Sequence, residues 1–503
     1  MRPPLWTAID CMPSEQTPRS TDVPQKRKAA QFYLDKIHID DEALDVREPD
    51  AEAFRRQAQK KRRAALSGSW VLILGFAIII LIGALLLKLP WASATGQSIT
   101  WDEAFFTATS ATTVTGLVVL NTAQDFSFFG QIIILILLQV GGVGFISFSV
   151  LLFRLIGRRV TLQTRFIVQQ SVGAGQLSGA LNLALYVLGI TLSLEAAGAL
   201  LLWMRWQHAM PDGQALWYAV FHAVSSYCNA GFDLFSGTEL GVLFGYGTDW
   251  YTLAVMGTLI LLGGFGVTIM YDLWSYWRDR SLSLHTRMTL TLTAALTVLG
   301  FAFLMFDPFF RHGMPGVPWH ERAAAGLFSV VSARTAGLTI LPIEKLTEAS
   351  QLVLMLWMFI GGSPASMAGG VSSSTVGVLT LAVLATARGH AAAVAFGRTL
   401  PDETIAKAVA IMTVSTLLVV AVTLALSLRG HGPIFAAAFE AVSAFANAGY
   451  SIGATADLDA SARYLVMFTM FWGRLGPLTI VVALAQRLQP TLVRFPEEPV
   501  ILG

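Results

Sequence analysis

Apolar and polar residues are segregated along this chain over tens of residues. The first 66 residues are polar, with scattered prolines and mixed charges, a composition that favours disorder. Apolar runs such as 70–89 and 129–153 follow, each long enough to cross a bilayer core as a helix. The pattern predicts spans at residues 68–89, 128–153, 179–204, 250–275, 289–310, 350–385, 404–428 and 464–488. We therefore expect an all-α polytopic membrane protein with eight full transmembrane helices.

A short apolar segment that ends in glycine lies between the two spans of each successive pair. These four glycine segments are residues 106–116, 221–231, 328–337 and 439–449. Their last residues, Gly116, Gly231, Gly337 and Gly449, lie 115, 106 and 112 positions apart, and the third segment is one residue shorter than the others. A buried helix capped by glycine explains any one of them, but four at similar spacing indicate an internal repeat.

The repeat predicts four M1–P-loop–M2 units with pseudo-fourfold symmetry around a central pore. Each unit would contribute two full spans and one half-length pore helix. The predicted division is a polar cytoplasmic tail at 1–66, then repeats at 67–165, 166–280, 281–390 and 391–503.

The charges support this topology. Only 13% of the residues are charged, about half of what soluble domains carry. Beyond residue 50, the segments predicted to be cytoplasmic hold eighteen Lys and Arg, against eight in the outer loops and pore segments. The positive-inside rule then places both termini in the cytoplasm. We expect the protein to lie in the inner (cytoplasmic) membrane of the cell. The basic cluster at 60–63 is either a stop signal at the membrane surface or part of a helix that binds lipid or a partner.

The glycine segments have a composition that suits a cation pore. A helix of about ten residues must turn back inside the membrane, which is tolerated only where the backbone is buried or lines water. Four helix C-termini at one place stabilise a cation, and the carbonyls that follow can replace its water shell. Glycine permits the positive φ or close packing that this requires.

Two other classes of function fit the sequence less well. A carrier with broken helices around a midplane site usually shows twofold, often inverted repeats, whereas these four repeats run in one direction. An enzyme is not indicated, because no nucleophile–base constellation is recognisable. No covalent cofactor, phosphate-cradling glycine loop or nucleic-acid partner is expected either.

The glycine segments and several further stretches together resemble the superfamily of K⁺ transporters that includes KtrB, TrkH and plant HKT proteins. The further stretches are QVGGVGF at 139–145, GGFGV at 263–267, YDL at 271–273, SARTAG at 332–337, GGSPASMAGG at 361–370 and GRLGPLT at 473–479. The similarity extends from residue 67 to about residue 490, and the eight readable spans favour the KtrB branch.

This resemblance implies K⁺ uptake, with stimulation by Na⁺ as in some relatives. It implies a homodimer with one pore per subunit and a cytoplasmic ring of RCK subunits of the KtrA type. Regulatory nucleotide would then bind to that ring and not to this chain. A TrkH-like or other transporter of monovalent cations (Na⁺ or K⁺) is the alternative.

The resemblance also assigns a selectivity filter. Glycine in all four segments is the K⁺-selective pattern, so K⁺ is expected at Gly116, Gly231, Gly337 and Gly449. The residue before each glycine would add a second carbonyl. These residues are Thr115, Ala230, Ala336 and Ala448. Thr113, Asn229 and Asn447 are expected to support the filter.

A gate is expected below the filter. Small and polar residues interrupt the span 350–385, and Pro364 removes a backbone donor. The predicted gate loop consists of Gly361, Gly362, Ser363, Pro364, Ala365, Ser366, Met367, Ala368, Gly369 and Gly370. By the resemblance this loop obstructs the pathway; the alternative is a small-residue face for helix packing. Met367 and Ser372 depart from the Thr and Lys that are common in relatives.

Charged residues at membrane depth complete the set of candidates. Arg474 lies in the last apolar span, where an ionisable group is costly and usually faces a cavity or a partner. By the resemblance it is an electrostatic barrier below the filter, and the alternative is an arginine that bonds loop carbonyls for packing. Glu103 and Glu440 are candidates for helix-dipole partners or cation attractors.

Overall fold

The structure is a computed structural model that describes residues 73–143, 180–236, 249–314, 316–364, 366–390, 392–430 and 433–476. By its contacts the chain divides into Met1–Arg63 and Ala64–Gly503, and every described residue belongs to the second unit. The predicted tail at 1–66, parts of the predicted spans 128–153 and 464–488, and Ala365 of the predicted gate loop lie outside the described residues.

The described part of the chain is mostly helical. Its helices in chain order are α1 (Ile73–Leu87), α2 (Trp101–Thr113), α3 (Phe128–Val143), α4 (Ala180–Trp206), α5 (Asp212–Tyr227), α6 (Trp250–Asp279), α7 (Leu284–Phe306), α8 (Pro308–His312), α9 (Trp319–Thr335), α10 (Glu348–Phe359), α11 (Ser373–Ala387), α12 (Asp402–Ser427), α13 (Ile434–Ala446) and α14 (Ala460–Leu475). A two-stranded antiparallel hairpin, β1 (Val394–Ala395) and β2 (Arg398–Thr399), precedes α12.

Several of these helices are long and apolar enough to cross a membrane. Within the described residues they are Tyr186–Trp206 of α4, all of α7 and all of α12, with α6 as a fourth if its two bent parts form one span. Helices α1, α3, α10, α11 and α13 are apolar but shorter. This set of long apolar helices is that of a multi-pass membrane protein.

Helix α6 differs from the continuous span that the sequence predicts at 250–275. Gly266 has φ 72° and ψ 171°, so the helix is broken there. Glycine adopts this left-handed φ without steric penalty, whereas the hydropathy of an apolar run gives no sign of it. The break follows two further glycines, Gly263 and Gly264, whose contacts are described below.

The four glycine segments form the C-terminal parts of the short helices α2, α5, α9 and α13 and the turns that follow them. The helices have 13 to 17 residues, or roughly 20–25 Å at 1.5 Å per residue, which is less than the ~30 Å of a bilayer core. Three begin directly after Pro211, Pro318 and Pro433, since proline has a helix-compatible φ and no N–H to leave unbonded.

Helix α2 begins differently, with a capping box. The Thr100 side chain accepts from Glu103 N, and Glu103 Oε2 accepts from Thr100 N at 2.8 Å. Both exchanges satisfy backbone donors at the helix start. Of the two interpretations of Glu103, the structure supports a partner of the helix N-terminus.

The short helices pack in a cycle. Each one contacts the helix that follows it in the chain and the helix that follows the preceding short helix. Helix α5 packs on α6 and α3, α9 packs on α10 and α6, and α13 packs on α14 and α10. The cycle closes where α2 packs on α3 and α14. At this junction Arg463 Nη1 of α14 lies 2.7 Å from Asp102 Oδ2 of α2.

Candidate functional site

The four glycines that end the glycine segments lie together, and all four have a positive φ. The angles are 87° at Gly116, 72° at Gly231, 62° at Gly337 and 82° at Gly449. This left-handed conformation is open to glycine and costly for residues with a Cβ atom.

Each of these glycines faces the carbonyl oxygen of the residue before another glycine. A Cβ atom built on Gly116 would lie 2.6 Å from Ala230 O, and one built on Gly231 would lie 2.6 Å from Ala336 O. A Cβ on Gly337 would meet Ala448 O, and one on Gly449 would meet Thr115 O, both more closely still. The contacts run through the four segments in order and return from the last to the first. We call this arrangement the glycine ring.

The backbone that leads into the ring has the same unusual turn in three segments. Val114, Asn229 and Asn447, each two positions before a ring glycine, have left-handed φ values of 58°, 58° and 50°. Asparagine tolerates this conformation better than most residues, and a β-branched residue such as Val114 is an outlier there. In the third segment Ala336 has φ −110° and ψ −28°, so the chain reaches its glycine without the extra turn. This difference matches its length, one residue shorter.

Asn447, predicted to support the filter, joins the two ends of the cycle. Its Nδ2 donates to Thr115 Oγ1 at 2.8 Å and to Met470 O of α14 at 2.9 Å. Thr115 Oγ1 also lies 2.7 Å from Thr113 Oγ1, which in turn donates to Thr109 O at 2.8 Å. All these groups are buried, where a satisfied hydrogen bond matters most.

Asn229, the second predicted support, binds α6 instead of a neighbouring glycine segment. With its amide oriented to satisfy both ends, its nitrogen donates to Ile260 O at 3.1 Å and its oxygen accepts from Gly264 N at 3.1 Å. The second glycine segment is thus attached to α6 just before the break at Gly266.

Three serines in the short helices also hold the ring, and they are not among the site residues predicted from the sequence. Gly116 N donates to Ser110 Oγ at 3.2 Å, Ser225 Oγ donates to Phe232 O at 2.6 Å, and Ser332 Oγ donates to Leu338 O at 2.9 Å. A serine precedes each ring glycine by five or six positions, but the fourth, Ser443, makes no side-chain hydrogen bond within the described residues. This recurrence could have identified the serines. Serine is, however, also one of the small residues that are common where membrane helices pack.

The described residues of the predicted gate loop are non-helical, and backbone hydrogen bonds join the two ends of the loop. Gly361 N donates to Val371 O at 2.9 Å, and Val371 N donates to Phe359 O at 3.2 Å. Its described residues differ in exposure: Gly361, Gly362, Ser363, Met367 and Gly369 are buried, Ser366, Ala368 and Gly370 are half-buried, and Pro364 is exposed.

The broken helix α6 binds this loop. Ser363 N donates to Gly264 O at 3.0 Å, and Met367 N donates to Gly263 O at 3.2 Å. A Cβ on Gly369 would meet Asn447 Oδ1, so the loop also packs against the residue that supports the ring. A buried arginine of α9 adds a further link, because Arg334 Nη2 donates to Gly361 O at 3.3 Å.

Arg474 of α14 connects the gate loop to α3. Its Nη1 donates to Met367 O, and its Nη2 donates to Gly141 O at 2.5 Å and to Gly142 O at 3.1 Å. These carbonyl bonds are what the packing interpretation of Arg474 requires. They also place its charge beside the loop, as the barrier interpretation requires.

Known cation transport proteins are similar to this chain over most of its length. The pattern of the TrkH family, described as a cation transport protein, matches residues 49–492. The Potassium/sodium uptake protein NtpJ of Enterococcus hirae is 34% identical over 454 residues, which cover 88% of this chain and 99% of NtpJ. The Ktr system potassium uptake protein B of Bacillus subtilis is 34% identical over 437 residues, 86% of this chain and 96% of that protein.

A solved structure has the same fold. The potassium transporter TrkH from Vibrio parahaemolyticus superposes with a TM-score of 0.64 at 21% identity, covering 85% of this chain and 86% of that one. The resemblance to KtrB and TrkH proteins that the sequence motifs indicated is therefore confirmed. The chain belongs to the TrkH family of cation transport proteins.

Proposed function

We propose that this protein is the ion-conducting subunit of a potassium uptake system in the cytoplasmic membrane, with both termini in the cytoplasm. The observation that carries the proposal is the glycine ring, in which four backbone turns with positive φ meet in cyclic order. Relatives that are 34% identical over most of their length are named potassium uptake proteins, which supports the choice of ion.

In this proposal K⁺ passes through the centre of the ring. The C-termini of α2, α5, α9 and α13 lead into the ring glycines, so their partial negative charges favour a cation. Carbonyl oxygens of the glycines and of the residues before them replace the hydration shell of K⁺. The architecture we propose is four M1–P-loop–M2 repeats with pseudo-fourfold symmetry and eight full transmembrane helices, and the cyclic packing of the short helices supports it.

Control of the pathway is assigned to residues 361–370 and Arg474. The loop packs against Asn447 and is bonded to α6 and Arg474, so it must change these contacts to move. We propose that it obstructs the pathway until a cytoplasmic ring of KtrA-type RCK subunits releases it. The name Ktr system, carried by several relatives, supports a multi-component assembly. A homodimer and stimulation by Na⁺ complete the proposal.

Rescue of a bacterium that lacks its K⁺-uptake systems tests this function. Cells that express the full chain with its regulatory partner are expected to grow on limiting K⁺ and to accumulate Rb⁺. Cells with the empty vector are the control. Absence of both growth and Rb⁺ uptake, with the protein verified in the membrane, would contradict the proposal.

Transport of Na⁺ together with K⁺ is the second candidate, because one relative is named a potassium/sodium uptake protein. Glycine occupies all four ring positions, and none is replaced by another residue. By the resemblance to K⁺ transporters, this pattern favours K⁺. Uptake of labelled Na⁺ by the same cells separates the two. Equal rates for Na⁺ and Rb⁺ would favour the second candidate.

A further inference from the structure

The helix of the fourth glycine segment contains a buried carboxylate that conduction as proposed does not use. Glu440 is in the middle of α13 and is 1% exposed. Its Oε1 accepts from Ser451 Oγ at 2.5 Å, and its Oε2 accepts from Thr455 Oγ1 at 2.5 Å. Both donors belong to the chain that leaves the ring after Gly449, which we call the exit segment (residues 450–455). Glu440 therefore holds the exit segment at two points.

This contact takes the place of the serine bonds of the other glycine segments. Ser110, Ser225 and Ser332 each bond a backbone group at or just after a ring glycine. Within the described residues, Ser443 Oγ, their counterpart in α13, has no hydrogen-bond partner. Glu440 precedes Ser443 by three positions and so lies on the same helix face. The fourth segment is held from one turn earlier by a longer side chain.

The second glycine segment has a related contact at the same position. His222, like Glu440, directly follows the phenylalanine that begins its segment. It is buried, and its Nε2 accepts from Leu234 N at 3.3 Å, three residues after Gly231. In the third segment the corresponding Ser329 is too short and donates instead to Ala325 O of its own helix, at 2.8 Å. In these three segments, the side chain at this position reaches the chain after the ring glycine only where it is long and polar.

The charge of Glu440 is directed to these hydroxyls and not to a cation of the protein. In the described part of the chain Glu440 forms no salt bridge. A carboxylate accepts two O–H groups at once, and such bonds are shorter and stronger than neutral ones. A glutamine can accept with only one of its two atoms, so it would leave one of the two hydroxyls without its partner.

We propose that Glu440 is a positioning residue for ion selectivity, because it fixes the exit segment and with it the Gly449 corner of the glycine ring. The proposal rests on the proposed function. A small movement at this corner changes the distance between Gly449 and its contacts Thr115 O and Gly116. The carbonyls around the ion replace its hydration shell, so in this proposal a displaced Gly449 corner lowers the preference for K⁺ over Na⁺.

Rb⁺ uptake and its inhibition by Na⁺, measured on the full chain in cells with its regulatory partner, test the proposal. Glu440→Ala is expected to lower the preference for Rb⁺ over Na⁺ by about five- to tenfold, the effect of losing one or two buried hydrogen bonds. Glu440→Gln is expected to lower it by less. Ser443→Ala, one turn away in the same helix, is the matched control and should leave the preference within about twofold, because its hydroxyl makes no bond that the substitution removes.

A second pair of variants approaches the same bonds from the exit segment. Ser451→Ala and Thr455→Val remove the donors and leave α13 intact, and both are expected to shift the preference in the same direction as Glu440→Gln. They keep the test decisive if Glu440→Ala does not reach the membrane.

The outcomes separate the two proposals. If the unaltered protein takes up no Rb⁺, the proposed function fails. If it takes up Rb⁺ and the Glu440, Ser451 and Thr455 variants all keep its preference, the positioning role is overturned. If Glu440→Gln weakens uptake only at low Rb⁺ and leaves the preference unchanged, the carboxylate attracts cations and the positioning role is again overturned.

Discussion

Asn447 Nδ2 donates a hydrogen bond to Thr115 Oγ1 at 2.8 Å, although 332 positions separate the two residues. The bond connects the fourth glycine segment to the first, so it closes the glycine ring. Arg463 of α14 and Asp102 of α2 lie 2.7 Å apart and also connect the fourth unit to the first. A ring made from one chain has one such closing junction, and here a buried hydrogen bond and a partly buried ion pair hold it.

Substitution of Asn447 tests this junction. Asn447→Gly keeps the left-handed backbone but removes both amide bonds, so we expect lower thermal stability and a weaker preference for K⁺ over Na⁺. Asn447→Ala loses the same bonds and also forces a Cβ residue into the left-handed region, which costs about 1–2 kcal/mol. The alanine variant should therefore melt below the glycine variant in detergent. Equal melting temperatures would show that the left-handed conformation is wrong.

Gly116→Ser is expected to weaken discrimination against Na⁺. The new Cβ would lie 2.6 Å from Ala230 O, so that carbonyl has to move. Gly96→Ser is a matched control, because Gly96 also has a positive φ (72°) but no atom near its missing Cβ. It should reduce stability through backbone strain and leave selectivity unchanged. If the unaltered protein and both variants have the same ratio of K⁺ flux to Na⁺ flux, Gly116 is not part of the filter.

Arg474→Ala is expected to raise ion flux without loss of selectivity. The substitution removes the bonds to Met367 O and to the carbonyls of Gly141 and Gly142, so the gate loop loses its attachment to α3. Arg474→Lys keeps the charge but not the geometry for three carbonyls, and an intermediate flux is expected. Rb⁺ uptake at equal expression measures the effect; unchanged or lower flux in the alanine variant would count against a role in closure.

Asp307 is expected to make stability depend on acid pH. Burial raises its pKa, but hydrogen bonds from Ser350, Thr347 and Phe309 N outweigh this and hold the pKa below its ordinary value. A carboxyl whose pKa is lower in the folded state stabilises the protein above its unfolded pKa of about 3.9 and loses that contribution as pH falls through the folded value.

Comparison with Asp307→Asn measures this contribution. The unaltered protein should melt above the variant at pH 5–7. The difference should shrink as pH falls below about 4, the pKa of the unfolded chain, towards the lower pKa of the folded state. A difference that stays constant down to pH 3 would show that Asp307 does not stabilise the fold through its charge.

Much of the site was predictable because its signals are local. An interruption of helix at 361–370 follows from small residues and a proline in one stretch of chain, and the structure has non-helical backbone there between α10 and α11. The four glycines follow from a pattern of about ten residues that recurs at similar spacing. The serines were equally visible in that pattern, but their role was not, since a serine on a helix face more often serves close packing.

The break at Gly266 could not be read in the same way. A glycine inside an apolar run is compatible with a continuous helix at a cost of about 1 kcal/mol. What favours the break is contact with distant residues: the carbonyls of Gly263 and Gly264 accept from Met367 N and Ser363 N of the gate loop. The donors lie about a hundred positions further along the chain.

From the order of its residues alone, this chain specifies apolar helices, four short helices that turn at glycine, and an interruption in the third unit. Hydropathy, glycine and proline act within one or two turns, so their effects can be read from neighbouring residues. The cyclic order of the ring, the bond from Asn447 to Thr115 and the attachment of the exit segment to Glu440 depend on folding. Each is a contact between groups that become neighbours only when the helices pack, and burial then determines which polar side chains must find one another.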